Sequence, residues 1–141
     1  MMRWLTVMML AAALALGGGV KFAWAQGVQQ KVKAFSDKAA QDYMKEGLLQ
    51  AGEGHDAQAA AAFRQALSIK PDWAEAHSLL GSALSRAGDL HEAEAELRKA
   101  VQLKPDYAEG WNYLGEFLQQ HGKEKEAQDA FAKARQYFRR P

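Results

Sequence analysis

Apolar residues in the second half of the chain fall three and four positions apart. Leu80 and Leu84 come before Leu97, and Leu114 and Leu118 come before Phe131. Spacing of this kind lays apolar side chains along one face of a helix and predicts amphipathic helices that pack in pairs. The pattern also repeats. Ile69-Lys70-Pro71-Asp72-Trp73-Ala74-Glu75 lies 34 residues before Leu103-Lys104-Pro105-Asp106-Tyr107-Ala108-Glu109. The same shift aligns Gly47, Gly81 and Gly115; Gly54, Gly88 and Gly122; Ala59, Ala93 and Ala127; Phe63, Leu97 and Phe131; and Ala66, Ala100 and Ala134. A fixed interval of this length marks stacked supersecondary units. Three of them, 40–73, 74–107 and 108–141, cover the chain from residue 40 onward.

Each column implies a physical role. Gly81 and Gly115 fall in mid-helix, where glycine costs about 1 kcal/mol against alanine, so a neighbouring helix is expected to approach closely there, against Ala93 or Ala127. Gly54, Gly88 and Gly122 are placed to end the first helix of each pair, where a positive φ is needed. Pro71 and Pro105 are expected to stop the second helix and open the next turn.

Trp111-x-x-Leu114-Gly115, followed by Ala127-x-x-x-Phe131 and Ala134 and preceded by Pro105, resembles the tetratricopeptide repeat. The middle unit departs from that pattern with His77 in the aromatic place and Leu84 where tyrosine is common. The first unit has Tyr43 in the aromatic place but Glu46 and Gln50 where apolar residues are expected, so its first helix is expected to pack loosely. The resemblance covers about 102 of 141 residues and implies an all-α, tetratricopeptide-like α-solenoid. Its three helix-turn-helix repeats would wind as a right-handed superhelical array.

Upstream, Met1 to Arg3 carries one positive charge, Trp4 to Leu16 is apolar, Gly17-Gly18-Gly19 follows, and Ala23-Trp24-Ala25 matches a signal-peptidase site. Residues 1–25 are therefore expected to be a signal peptide cut between Ala25 and Gln26. The alternative is an uncleaved anchor, since Trp4 to Val20 is at the short limit for spanning a bilayer. In residues 26–39, Val28, Val32 and Phe35 recur among Gln29, Gln30, Lys31 and Lys33, which suggests a linker or an N-terminal capping helix. The expected compartment is the periplasm or the extracellular space, or the inner-membrane surface if the leader stays. At the other end, Phe131, Tyr137 and Phe138 are candidates for a docking or self-association edge, because no solvating helix follows them in this sequence.

Charge narrows the partners. The formal net charge is +1, and losing Arg3 and Lys21 with the leader would leave 16 basic and 17 acidic residues. Such a balance gives no electrostatic footprint for nucleic acid. With no cysteine, disulfides, thiolate nucleophiles and zinc ribbons are excluded. No His-Glu-x-x-His or phosphate-binding Gly-Lys-Ser/Thr motif is present. Ser36, Ser68, Ser78, Ser82 and Ser85 lack the context of a nucleophile elbow. His55, His91 and His121 fall near successive turns, about 10 Å apart per helix crossed, which is too far to share a metal. His77 reads as a core histidine, and Glu92 with Glu96 reads as an exposed, solvated face. No catalytic residue, metal or cofactor is expected.

The resemblance implies a concave groove lined by the first helix of each pair. It would present Met44 and Leu48, then Glu75, Ser78 and Ser82, then Glu109, Asn112 and Glu116. Some members clamp a peptide carboxylate with cationic side chains, but the matching positions here are Met44, Leu48, Leu79, Glu109 and Tyr113. The glutamates favour a basic ligand instead. The expected function is a protein or peptide-binding scaffold or adaptor in the cell envelope; the alternative is a homo-oligomeric scaffold that stacks through its third repeat.

Overall fold

A computed structural model describes residues 19–139, with side chains from residue 23. Among the described residues there are six helices: α1 (Gly19–Gly52), α2 (Asp56–Ile69), α3 (Ala74–Ala87), α4 (Leu90–Leu103), α5 (Ala108–Gln120) and α6 (Glu124–Phe138). No strand occurs among them. The chain divides after Ser36 into two units. In the unit beginning at Asp37, the end of α1 pairs with α2, α3 with α4, and α5 with α6, giving three helix-turn-helix tetratricopeptide units. None of the described helices is long and apolar enough to cross a membrane; of residues 1–25, expected to be a signal peptide, residues 1–18 lie outside the described residues.

The turns within the three pairs are built alike. Gly54, Gly88 and Gly122 have φ of +80°, +97° and +73° and are the only positive-φ residues described. Glycine adopts this left-handed conformation without the Cβ clash that other residues suffer. The residue after each glycine then donates its amide five residues back: His55 to the Gln50 carbonyl, Asp89 to Leu84 and Lys123 to Leu118, each at 2.9 Å. This Schellman closure satisfies carbonyls that the helix end would otherwise leave unpaired. At the other turns, α2 ends at Ile69 and α4 at Leu103, two residues before Pro71 and Pro105, because proline disfavours a helical conformation in the residue before it.

The mid-helix glycines are sites of close approach. A Cβ on Gly47 would lie 2.5 Å from the Phe63 ring, and one on Gly115 would lie 2.7 Å from the Phe131 ring. At Gly81 it would meet Leu97 at 2.6 Å and the Ala93 carbonyl oxygen at 2.9 Å. The main partner is thus the large residue of the second helix, with the Ala93 backbone adding to it at Gly81. Ala59, Ala93 and Ala127 are buried beside these contacts, and Leu80, Leu84, Leu114 and Leu118 fill the space between pairs.

The polar residues of the first unit have a structural explanation. Glu46 and Gln50 occupy the columns of Leu80/Leu114 and Leu84/Leu118, whose leucines are buried. Among the described residues no helix pair precedes the first, so Glu46 is exposed and accepts a 2.8 Å hydrogen bond from Gln50. Terminal units of stacked arrays need such polar faces. At the third pair, Arg135 is exposed in the column where Leu67 and Val101 join the core.

Glu92 and Glu96 correct the expectation of a merely solvated face. Both Arg64 Nη2 contacts to the Glu92 carboxylate are 2.7 Å, and one repeat later Arg98 donates to Glu126 at 2.6 Å. The two pairs have the same spacing and tie successive second helices together. Glu96 instead pairs with the buried ring of His77. Exposed ion pairs contribute about 0–1 kcal/mol each, so the arginine pairs set register more than they add stability.

Candidate peptide groove

α3 and α5, the first helices of the second and third pairs, lie side by side. Between them is a cavity of about 260 Å³, lined by Ser82, Ser85, Arg86, Tyr113, Glu116 and Gln120, with Leu97 and Phe117 as its apolar part. The repeat itself explains this lining. Ser82 and Glu116 share one column and Arg86 and Gln120 another, each 34 apart, so stacked helices bring equivalent side chains to the same gap.

Of the residues expected to line the groove, Ser82 and Glu116 meet at this cavity. Asn112 lies one turn away and donates to the Glu116 carboxylate at 3.0 Å. Glu109 is exposed and forms no hydrogen bond or ion pair with another described residue. Leu48 is also exposed, on α1. Met44 and Ser78 are placed differently, at 8% and 0% exposed, and belong to the interior. Ser78 donates to the Glu75 carbonyl at 2.9 Å, and its hydroxyl lies 3.4 Å from that of Tyr107. Burial raises the Tyr107 hydroxyl pKa above its ordinary value. The ring of Tyr107 also fills the space beside Gly110, where a Cβ would come within 2.5 Å.

Glu75 is half-buried and accepts a hydrogen bond from Lys104 at 3.1 Å. Burial opposes its charge, but its own backbone N–H and Lys104 outweigh that and hold the carboxyl below its ordinary pKa of 4.5. Its charge is therefore committed within the protein, which leaves Glu109 and Glu116 as the acidic groups open to a ligand.

Arg86 was missed from the sequence and carries most of the local positive charge. It donates to Asp56 at 2.6 Å and to Ser82 at 2.9 Å, so a carboxylate on α2 holds the guanidinium at one side of the cavity. Arg86, Tyr113 and Gln120 could have been found by projecting the 34-residue columns across adjacent helices.

The remaining candidates are scattered. Phe131 is half-buried and packs against the Gly115 face, Tyr137 is half-buried, and Phe138 is 60% exposed. Ala25 and Gln26, at the expected cleavage point, are helical within α1 and exposed.

A family model described as tetratricopeptide repeat matches residues 48–111. No curated protein matches the sequence. Among solved structures, MamA is similar at 22% identity and a TM-score of 0.64, over 72% of this chain and 59% of MamA. The chain therefore spans less than two thirds of that protein. The first tetratricopeptide domain of Spaghetti (RPAP3), bound to the HSP90 peptide SRMEEVD, is similar at 18% identity and a TM-score of 0.68, over 72% of this chain and 80% of that one. The TPR2B domain of yeast Sti1, in complex with pHsp70, gives 19% and 0.68, over 71% and 80%. With its three glycine-closed helix pairs at a 34-residue interval and these matches, the chain has the fold of tetratricopeptide repeat domains.

Proposed function

We propose that this protein is a non-catalytic interaction scaffold of the cell envelope that holds a basic peptide segment of a partner protein against α3 and α5. The observation carrying this reading is the cavity between those helices, where an apolar part formed by Leu97 and Phe117 meets the Glu116 carboxylate. A lysine or arginine side chain has the matching form, an aliphatic stem ending in a cation. Glu109, two turns earlier on the same face of α5, adds a second open carboxylate.

Peptide binding by this fold is supported by the Spaghetti and Sti1 complexes. The Spaghetti ligand, SRMEEVD, ends in acidic residues. Here the positions matching the family's carboxylate clamp hold Met44, Leu48, Leu79, Glu109 and Tyr113, so the preferred ligand has the opposite charge. The envelope location is supported by the sequence of residues 1–25, with its basic start, apolar run and Ala-x-Ala end. The alternative, copies stacking through the third pair, is less well supported, because Arg135 interrupts the apolar column at that edge.

Fluorescence polarisation with three peptides of equal length, one lysine-rich, one neutral and one acidic, tests the reading. The lysine-rich peptide is expected to bind best and to lose affinity as salt is raised. Glu109→Lys/Glu116→Lys should weaken it at least about tenfold, the scale of removing a close charge contact. Equal affinity for all three peptides, or an unchanged affinity in the double variant, would reject the reading.

A further inference from the structure

The segment before the repeats carries an apolar stripe that the groove does not use. Trp24, Val28, Val32 and Phe35 are 74%, 42%, 63% and 77% exposed. Their spacing of four, four and three residues places them within about 80° of arc on α1. Gln26, Gln29, Gln30 and Lys33 lie on the remaining circumference. In the repeats, by contrast, the comparable large residues Phe63, Leu80, Leu84, Leu97 and Leu118 are at most 2% exposed.

The charge of this segment points to what the stripe meets. Residues 1–36 contain Arg3, Lys21, Lys31 and Lys33 and no acidic residue, whereas residues 37–141 contain 14 basic and 17 acidic residues. Lys31 borders the stripe, and neither Lys31 nor Lys33 forms an ion pair among the described residues. An amphipathic helix with an apolar stripe, an aromatic residue at one end and unpaired lysines suits the interface of an anionic bilayer. Tryptophan favours that depth, and basic residues are drawn to the negative surface potential. A partner protein with an apolar groove would account for the stripe alone, but not for the two lysines beside it in residues 26–36, which hold no carboxylate.

We propose that residues 24–35 lie along an anionic membrane surface, with Trp24, Val28, Val32 and Phe35 toward the acyl chains and the glutamine face toward water. This is independent of the groove. If the leader is cut at the expected point Trp24 leaves with it, and the same orientation then rests on Val28, Val32 and Phe35 with Lys31 and Lys33.

The absence of cysteine from the chain makes a face-resolved test direct. Single cysteines are introduced into the full chain at Val28, Val32 or Phe35, and separately at Gln26, Gln29 or Lys33, and labelled with an environment-sensitive bimane. Each protein is then measured without lipid, with phosphatidylcholine vesicles and with vesicles containing phosphatidylglycerol. Labels at 28, 32 and 35 should shift to shorter wavelength and be quenched by shallow spin-labelled lipid in the anionic vesicles, while labels at 26, 29 and 33 stay solvent-like.

The leader tethers every variant equally, so the difference between the two faces carries the result. Equal exposure of both faces in anionic vesicles would overturn the proposal. So would the same protection in phosphatidylcholine alone. Protection without lipid would also reject it, and if that protection grew with protein concentration it would assign the stripe to a second copy. Lys31→Glu/Lys33→Glu should reduce the protection of the labels at 28, 32 and 35 in anionic vesicles severalfold; no change would likewise count against the proposal.

Discussion

His77 and Glu96 form a buried polar pair inside the middle repeat. His77 is 4% exposed; its Nδ1 faces the Glu96 carboxylate, and its Nε2 lies 2.7 Å from the Pro71 carbonyl oxygen. One repeat later, Trp111 occupies the same column, and its indole Nε1–H donates to the Pro105 carbonyl at 2.8 Å. The imidazole therefore keeps a hydrogen bond that the tryptophan makes. Its second nitrogen needs a partner that tryptophan does not, and Glu96 supplies it in a column otherwise held by the buried Ala62 and Ala130.

The two substitutions should therefore be coupled. Removing one partner of a buried pair leaves a polar group unmatched, at a cost of about 3–5 kcal/mol, so His77→Ala and Glu96→Ala should each destabilise strongly, toward the low end because Glu96 is partly exposed. His77→Trp with Glu96→Ala restores the arrangement of the third repeat and should cost less than the two single changes added together. Urea denaturation of the wild type, His77→Trp alone, Glu96→Ala alone and their double gives the coupling, and strict additivity would show that the pair is not a unit.

The mid-helix glycines should differ in tolerance. Alanine gains about 1 kcal/mol of helix propensity over glycine, but at Gly81 its Cβ would press on the Ala93 carbonyl oxygen as well as on Leu97. Backbone cannot yield as a side chain can. At Gly115 the nearest atoms all belong to the Phe131 ring, a half-buried side chain rather than backbone. Gly81→Ala should destabilise by about 2 kcal/mol, within the usual range for overpacking, and Gly115→Ala by distinctly less. Thermal melts compare them, and equal losses would contradict the backbone argument.

These contacts also mark what sequence could reveal. The helix pairs, the glycine turns and the Phe63/Leu97/Phe131 column were legible because each recurs at a fixed interval and each depends on neighbours in the chain. Glu96 was not, because its partner lies on another helix and its spacing to Glu92 is that of an ordinary exposed face. Ser78 was read as groove-facing and is interior, since a shift of one residue turns a helix by about 100°, and neighbouring Leu79 is only half-buried. The cavity between α3 and α5 arises from stacking, so Arg86 and Gln120 became visible only when adjacent repeats were set side by side.

Acid should weaken the joint between the second and third pairs through Glu94. The hydrogen bond from Lys123, at 2.8 Å, is the chief cause holding this carboxyl below its ordinary pKa of 4.5; burial opposes it and Arg98 adds to it. Because the folded pKa is depressed, the stabilisation is complete above about pH 4.5. It is lost as pH falls through the folded value, where the unfolded chain binds a proton more readily. The contribution is about 1 kcal/mol or less, since the pair is partly solvated. Melting temperature followed from pH 7 to pH 3 should fall less steeply for Glu94→Gln than for the wild type; parallel curves would remove Glu94 from the explanation.

The tether on Arg86 should control access to the proposed peptide site. Asp56, on α2, holds the guanidinium through a 2.6 Å contact, and Arg86 and Glu116 line the same cavity. Asp56→Asn removes the charge that holds the arginine back, so Arg86 can turn toward Glu116 and neutralise the carboxylate a lysine would use. Affinity for a lysine-rich peptide should then fall severalfold although no residue proposed to touch the peptide has changed. Arg86→Gln should act in the opposite direction, because it removes a repelling cation from the rim, and adding it to Asp56→Asn should restore binding. Polarisation titrations of the three variants, with helicity checked by circular dichroism, decide this. If Asp56→Asn binds as the wild type does, Glu116 is not the ligand's anchor.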